Sequence, residues 1–238
     1  MAIRSFWCRL ILLSFFLFLT GCVRQPLTND FSEFQDQPLQ PDAIFQLRQG
    51  RRSAEPHLAE EVRRAINGRN RRQRLYQVMD YVWKNFTYDA WFNDKMFQRG
   101  AGQMSADKIL GGCADYALIA AAMLRTAEVP ARLVITVHSE WLQAFRSNPL
   151  TMFSGHVFLE VYLEDRWYLA DPSYRKLYVD YSLTNKYFPR GFIFCLRGVD
   201  YQSLGLRSIE QLYDRLPQCI TDMVPERYRD PAYTAFDL

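Results

Sequence analysis

The chain has 238 residues, 49% hydrophobic and 15% aromatic, with 17 Phe, 14 Tyr and 5 Trp. So much apolar surface excludes disorder throughout and suits one globular domain with a tail rather than two full domains. A formal charge of only +3 gives no reason to invoke nucleic acid.

Arg4 and Arg9 precede an apolar run from Leu10 to Leu19. This is a secretory signal pattern, and it is too short for a comfortable membrane span. It ends in Leu19-Thr20-Gly21-Cys22, which resembles the lipobox of bacterial lipoproteins. The resemblance implies cleavage before Cys22, a diacylglyceride on its sulfur and acylation of the new N-terminus. Val23, rather than Asp, follows that cysteine, which implies passage to the outer membrane with the domain facing the periplasm. Losing residues 1–21 removes Arg4 and Arg9 and no acid, so the net charge falls by two, to +1.

Residues 22–56, with Pro26, Pro38, Pro41 and Pro56, read as the lipidated cysteine and a flexible tether. The domain is expected over 57–238. Helical spacing predicts a helix from His57 to Asn67 and a second from Arg71 to Phe86, with Leu75, Val78, Met79, Val82 and Phe86 on one stripe. The run Arg63, Arg64, Arg69, Arg71, Arg72 and Arg74 suits a solvated face or contact with anionic headgroups. A glycine-containing loop then leads to Gly111-Gly112-Cys113 and a third helix to about Ala127, stopped by Pro130. Alternation predicts strands at Arg132 to His138, His156 to Leu163 and Arg166 to Asp171, the last two as a hairpin around Glu164-Asp165. A strand at Gly191 to Leu196 and a helix at Ser208 to Leu216 complete the prediction. The fold class is therefore α+β, with helices packed on an antiparallel sheet.

Cys8 leaves with the signal and Cys22 carries lipid, so Cys113, Cys195 and Cys219 remain. An oxidising periplasm would permit a Cys195–Cys219 disulfide; two buried free thiols fit the sequence equally well. No paired Cys/His spacing supports a zinc site, and no metal or organic cofactor is implied.

Cys113 stands where a glycine pair meets a helix. The first-turn N–H groups and the macrodipole favour a negative sulfur there. Gly111 and Gly112 would also let a substrate backbone approach closely. In the hairpin, a two- or four-residue loop centred on Glu164-Asp165 sets Asp171 opposite Phe158. His156 then lies two residues along on the same face, within reach of a carboxylate–imidazole hydrogen bond. A three-residue loop would break this parity. The opposite face collects Val157, Leu159, Val161, Tyr168 and Ala170, as a core-facing surface should. A nucleophile, a base and an orienter of that base are thus present.

Gly111-Gly112-Cys113-Ala114-Asp115-Tyr116-Ala117, followed by Met123-Leu124-Arg125 and Val129-Pro130-Ala131-Arg132, resembles the cysteine block of the bacterial transglutaminase-like superfamily, with its papain-like core. Ser154-Gly155-His156-Val157-Phe158-Leu159-Glu160-Val161 and Trp167-Tyr168-Leu169-Ala170-Asp171-Pro172 resemble its His and Asp blocks. The likeness covers roughly residues 75–175. Val157-Phe158 departs from the small residue and Trp that often follow the family's histidine, which bears on the cleft rather than the triad.

The resemblance implies a Cys113–His156–Asp171 triad that performs acyl transfer on a peptide or protein amide. Water as acceptor gives a peptidase or amidase, the preferred outcome; an amine gives a transglutaminase. Non-catalytic binding of a peptide or partner is the competing class. The Cys113 N–H is one oxyanion donor, and Gln103 is a weak candidate for the second. Asp115 and Tyr116 read as supports. His138 is a lesser candidate base, and Trp91, Trp141 and Trp167 belong to either a cleft or the core. Tyr187, Phe188, Phe192 and Phe194 belong either to a cap over the cleft or, by preference, to ordinary core.

Overall fold

The computed structural model describes residues 35–52, 55–220 and 231–238. The lipobox and Cys22 lie outside the described residues. No described helix is long and apolar enough to cross a membrane.

The helices are α1 (Pro41–Arg52), α2 (Pro56–Ala65), α3 (Arg71–Asn85), α4 (Ala101–Asp107), α5 (Cys113–Thr126), α6 (Ser139–Ser147) and α7 (Ile209–Ile220). The strands β3 (Ala131–His138), β4 (Gly155–Leu163), β5 (Arg166–Asp171), β6 (Lys176–Tyr178), β7 (Tyr187–Phe188), β8 (Phe192–Gly198) and β9 (Ala235–Asp237) form one sheet. Its order is β7-β8-β3-β4-β5-β6-β9, and every neighbouring pair is antiparallel. Two short strands, β1 (Thr87–Tyr88) and β2 (Ile109–Leu110), pair in parallel beside it.

Helix α5 is the centre of the fold. Its run of Ala117, Leu118, Ile119, Ala120, Ala121, Ala122, Met123 and Leu124 is buried on every side, as expected of a helix apolar all round. The small alanines let it pack closely against α1, α3 and α4 and against β3 and β4. Val157, Leu159, Val161, Tyr168 and Ala170 share its core. The opposite face of the sheet is covered as well, with Val134, Phe158, Leu169, Tyr178, Tyr181 and Phe188 in a second cluster.

Helices α4 and α6 stand where no helix was expected, and two further departures from the sequence expectation concern packing. Within the segment read as tether, α1 is helical and buries Ala43 and Leu47, and Trp167 donates to Asp42 at 2.9 Å. The arginine run also divides. Arg63 and Arg64 are exposed partners of Glu60, whereas Arg71 and Arg72 are buried. Arg72 grips both oxygens of Glu164 (3.0 and 3.1 Å), and Arg71 donates to the Gln37 carbonyl at 2.9 Å. Charge alone could not reveal that these two guanidinium groups bind the β4–β5 turn and the incoming chain.

The sheet also buries a charge. Glu160 on β4 is fully buried, and its carboxylate accepts from Arg132, Arg197 and the Tyr181 hydroxyl. Burial and the neighbouring Glu160 charge push the Tyr181 phenol well above its ordinary range. Removing the carboxylate strands two arginines near a dry face. Glu160→Ala is expected to lose about 3–5 kcal/mol of stability, read as a lower urea midpoint; an unchanged midpoint would contradict the network's importance.

Candidate active site

The cysteine loop is built from below. Asp115, in the first turn of α5, is buried and accepts from Gly111 N–H at 2.8 Å and from Arg99 Nη1 at 3.1 Å. Burial raises its carboxyl, opposed by the Gly111 N–H and the Arg99 charge. Arg99 also donates to the Ile109 carbonyl at 2.9 Å, so the entry to α5 is pinned on both flanks. The Tyr201 hydroxyl donates to Ala114 O at 2.7 Å from the far side. Gly112 O accepts from Asp115 and Tyr116, which leaves the Cys113 and Ala114 N–H groups ahead of the helical ladder.

The glycine pair serves a different purpose from the one expected. A Cβ on Gly111 would come within 2.5 Å of the Phe92 backbone, and one on Gly112 within 2.6 Å of Asn93 Oδ1. The short 3-10 turn Ala90–Lys95 therefore fills that space, and its Asn93 side chain stands beside the Cys113 loop. Gln103 does not. It is exposed on α4 and lines a separate cavity with Arg99, Arg125 and Tyr201, in which Cys113 takes no part. The sequence holds no local signal for Asn93, because its approach depends on how the turn packs.

Cys113 is a half-buried free thiol at the start of α5. His156, at the start of β4, lines one cavity with Cys113, close enough for the sulfur to act on its ring, and is hydrogen-bonded to Asp171 Oδ2, 3.0 Å from Nε2. A carboxylate only accepts, so Nε2 carries the proton toward Asp171 and Nδ1 is left for the sulfur. Asp171 is fully buried; its Oδ1 accepts from Ser173 and Tyr174 N–H at 3.1 and 3.3 Å. The register behind this meeting is Leu159↔Ala170, Val161↔Tyr168 and Leu163↔Arg166, a two-residue loop with the predicted parity. Phe192 of β8 stacks on the His156 ring, centroids 5.2 Å apart and planes 28° apart. Arg190 reaches Asp171 Oδ2 at 2.6 Å; that contact was not legible in the sequence, since Arg190 lies on a turn remote from the motifs, whereas Phe192 was among the aromatics weighed as a cap over the cleft.

A cavity of about 220 Å³ opens at the Cys113–His156 pair. Its walls are mostly apolar: Met96, Phe97, Ile135, Phe153, Val157 and Leu212. His138 is elsewhere, edge-on to Phe192 and close under Gly191. Trp141 and Trp167 are core, while Trp91 is exposed. Phe188 is core as well, and Phe192 stacks on His156. Cys195 is disulfide-bonded; the side chain of Cys219, its expected partner, lies outside the described residues. Among the described residues no cluster of three His, Cys, Asp or Glu side chains is arranged to hold a metal ion.

The comparisons agree with this architecture. The family model described as the transglutaminase-like superfamily matches residues 56–172. Through this segment the chain belongs to the transglutaminase-like superfamily. A crystal structure of a candidate cysteine protease from Cytophaga hutchinsonii is similar at a TM-score of 0.50 and 19% identity, covering 71% of this chain and 52% of that one. This chain therefore spans about half of that protein's length, and the likeness speaks for the fold alone. A crystal structure of a TGase aligns at a TM-score of 0.36 and 14% identity, covering 74% of this chain and 40% of that one. Comparison with curated proteins gives no match. The α+β fold with helices on an antiparallel sheet is thus the superfamily's fold.

Burial would lower the His156 pKa, but the hydrogen bonds and charges of Asp171 and Cys113 outweigh it and hold the group at about 9, above the ordinary 6.5. A raised folded-state pKa means that protonation favours the fold. The contribution is complete below about pH 6.5 and is lost as pH rises through about 9. Its size is of order 3 kcal/mol. Unfolding of the wild type and His156→Gln should therefore converge between those limits. A stability difference that stays flat across that window would refute the assignment.

Proposed function

We propose that this protein is an envelope thiol hydrolase, a cysteine peptidase or amidase, anchored by lipid on Cys22 to the outer membrane and facing the periplasm. The observation that carries the enzymatic part is His156 held between a half-buried thiol and a buried carboxylate at the mouth of a cavity. The anchoring part rests on the lipobox resemblance.

The thiolate of Cys113 attacks the carbonyl carbon of a substrate amide, forming a C–S bond. The imidazolium of His156 gives its Nδ1 proton to the departing nitrogen as the C–N bond breaks, leaving a thioester. Water then attacks that carbonyl, losing a proton to Nδ1, and the acid and thiol are released. Asp171 keeps the ring in the tautomer that both steps need. The Cys113 N–H and the Asn93 side-chain amide are the oxyanion donors in this reading.

The cavity's apolar walls support a peptide with an apolar side chain beside the scissile bond. Amine transfer requires water to be kept from the thioester, and neither the sequence nor the described residues show a device that does so; hydrolysis is therefore preferred over glutamine cross-linking.

The test combines a thiol probe with product analysis. Iodoacetamide should label Cys113 rapidly near neutral pH, and His156→Ala should abolish that speed. Labelling that appears only above about pH 8 would instead mark a binding module. With peptides carrying Leu, Phe or Gln and a labelled primary amine, free acid should dominate and the apolar peptides should react fastest. Amide cross-links without free acid would establish a transferase. Asp171→Asn is expected to slow turnover by about two to four orders of magnitude.

A further inference from the structure

Arg190 lies beyond the span that the family model matches. It occupies the turn Pro189–Gly191 at φ 62° and ψ 39°, a left-handed conformation that residues with a side chain seldom adopt. That turn sends its guanidinium back over the end of the sheet. Nη2 lies 2.6 Å from Asp171 Oδ2 and 3.3 Å from His156 Nε2. The guanidinium carbon rests 3.7 Å from the centre of the Tyr174 ring. Asp171 Oδ2 thus faces two donors on two potential cations, while Oδ1 is held separately by backbone N–H groups.

We propose that Arg190 is a positioning residue for the reaction: by sharing Asp171 Oδ2 it weakens the carboxylate's hold on the imidazolium and makes His156 a readier proton donor. The inference rests on the reading of Cys113, His156 and Asp171 as a triad. Guanidinium stays charged at any working pH. A fixed cation so near Nε2 disfavours a second positive charge on the ring, and one oxygen divided between two donors binds each less strongly. Both effects push the same way. The groups facing the imidazole are Cys113 from α5, Asp171 from the end of β5, Tyr174 after it and Arg190 before β8, with the uncharged rings of Phe158 and Phe192. His138 packs against the far edge of Phe192. Because Ser173 and Tyr174 N–H locate Asp171 without Arg190, removing the guanidinium leaves the carboxylate in place and wholly available to His156.

The experiment is an NMR titration of the His156 ring in the Cys113→Ser protein, with and without Arg190→Gln. The midpoint should rise by about half a pH unit or more in Arg190→Gln, and Arg190→Lys should fall between the two. An unchanged midpoint, or a lower one as expected if Arg190 merely props Asp171 in place, overturns the proposal. Tyr174→Leu serves if Arg190→Gln does not fold. It removes the platform under the guanidinium and should give a smaller rise, and no rise would again overturn the proposal. The titration needs no substrate. A thiol that proves unreactive therefore defeats the hydrolase reading without obscuring this result.

Discussion

The register of β4 against β5 decides which side chains of the site can meet. Side chains alternate along a strand, so a slip of one residue would send His156 or Asp171 to the opposite face. The two-residue loop at Glu164-Asp165 sets that register, and Arg72 clamps the loop by gripping Glu164 with two hydrogen bonds. The clamp comes from the start of α3, which also packs against α5. The helix that presents Cys113 and the hairpin that presents His156 and Asp171 are thereby tied through a common neighbour. The geometry of the site and the core share one set of contacts: the face of β4 opposite His156 is the one that α5 covers.

The C-terminal third completes what the matched segment begins. Arg190 and Phe192 press on the Asp171–His156 pair, Tyr201 holds the first turn of α5 through Ala114, and Leu212 closes the cavity wall. Arg125, buried near the other end of α5, donates to Val199 O as well as Ala131 O. The same stretch of chain thus touches both ends of α5.

Much of this was legible because local periodicity and pairing parity are local properties. The boundaries of α3 and α5, the hairpin and its register, and the proximity of His156 to Asp171 all follow from spacing within a few residues. What was missed depends on tertiary approach. Pro41–Arg52 is polar enough to pass for tether, yet Ala43 and Leu47 suffice to seat it on the domain. Arg71 and Arg72 look like their exposed neighbours until a carboxylate and carbonyls arrive from distant segments. The roles of Gly111, Asn93 and Arg190 are likewise invisible, since each is defined by a contact made across a turn rather than along a strand or helix.

A charge count links these parts. In the ion-paired form the site runs thiolate, imidazolium, carboxylate, guanidinium, with signs alternating and a sum of zero. A buried carboxylate alone would be costly to keep charged, and a single cation beside it would be held more firmly than one that shares the carboxylate with a second. With Arg190 present, Asp171 keeps a permanent counter-ion whichever way the His156 proton moves. The site stays balanced when His156 and the sulfur are both neutral and when both are charged, so proton transfer between them need not leave an isolated charge in the fold's interior.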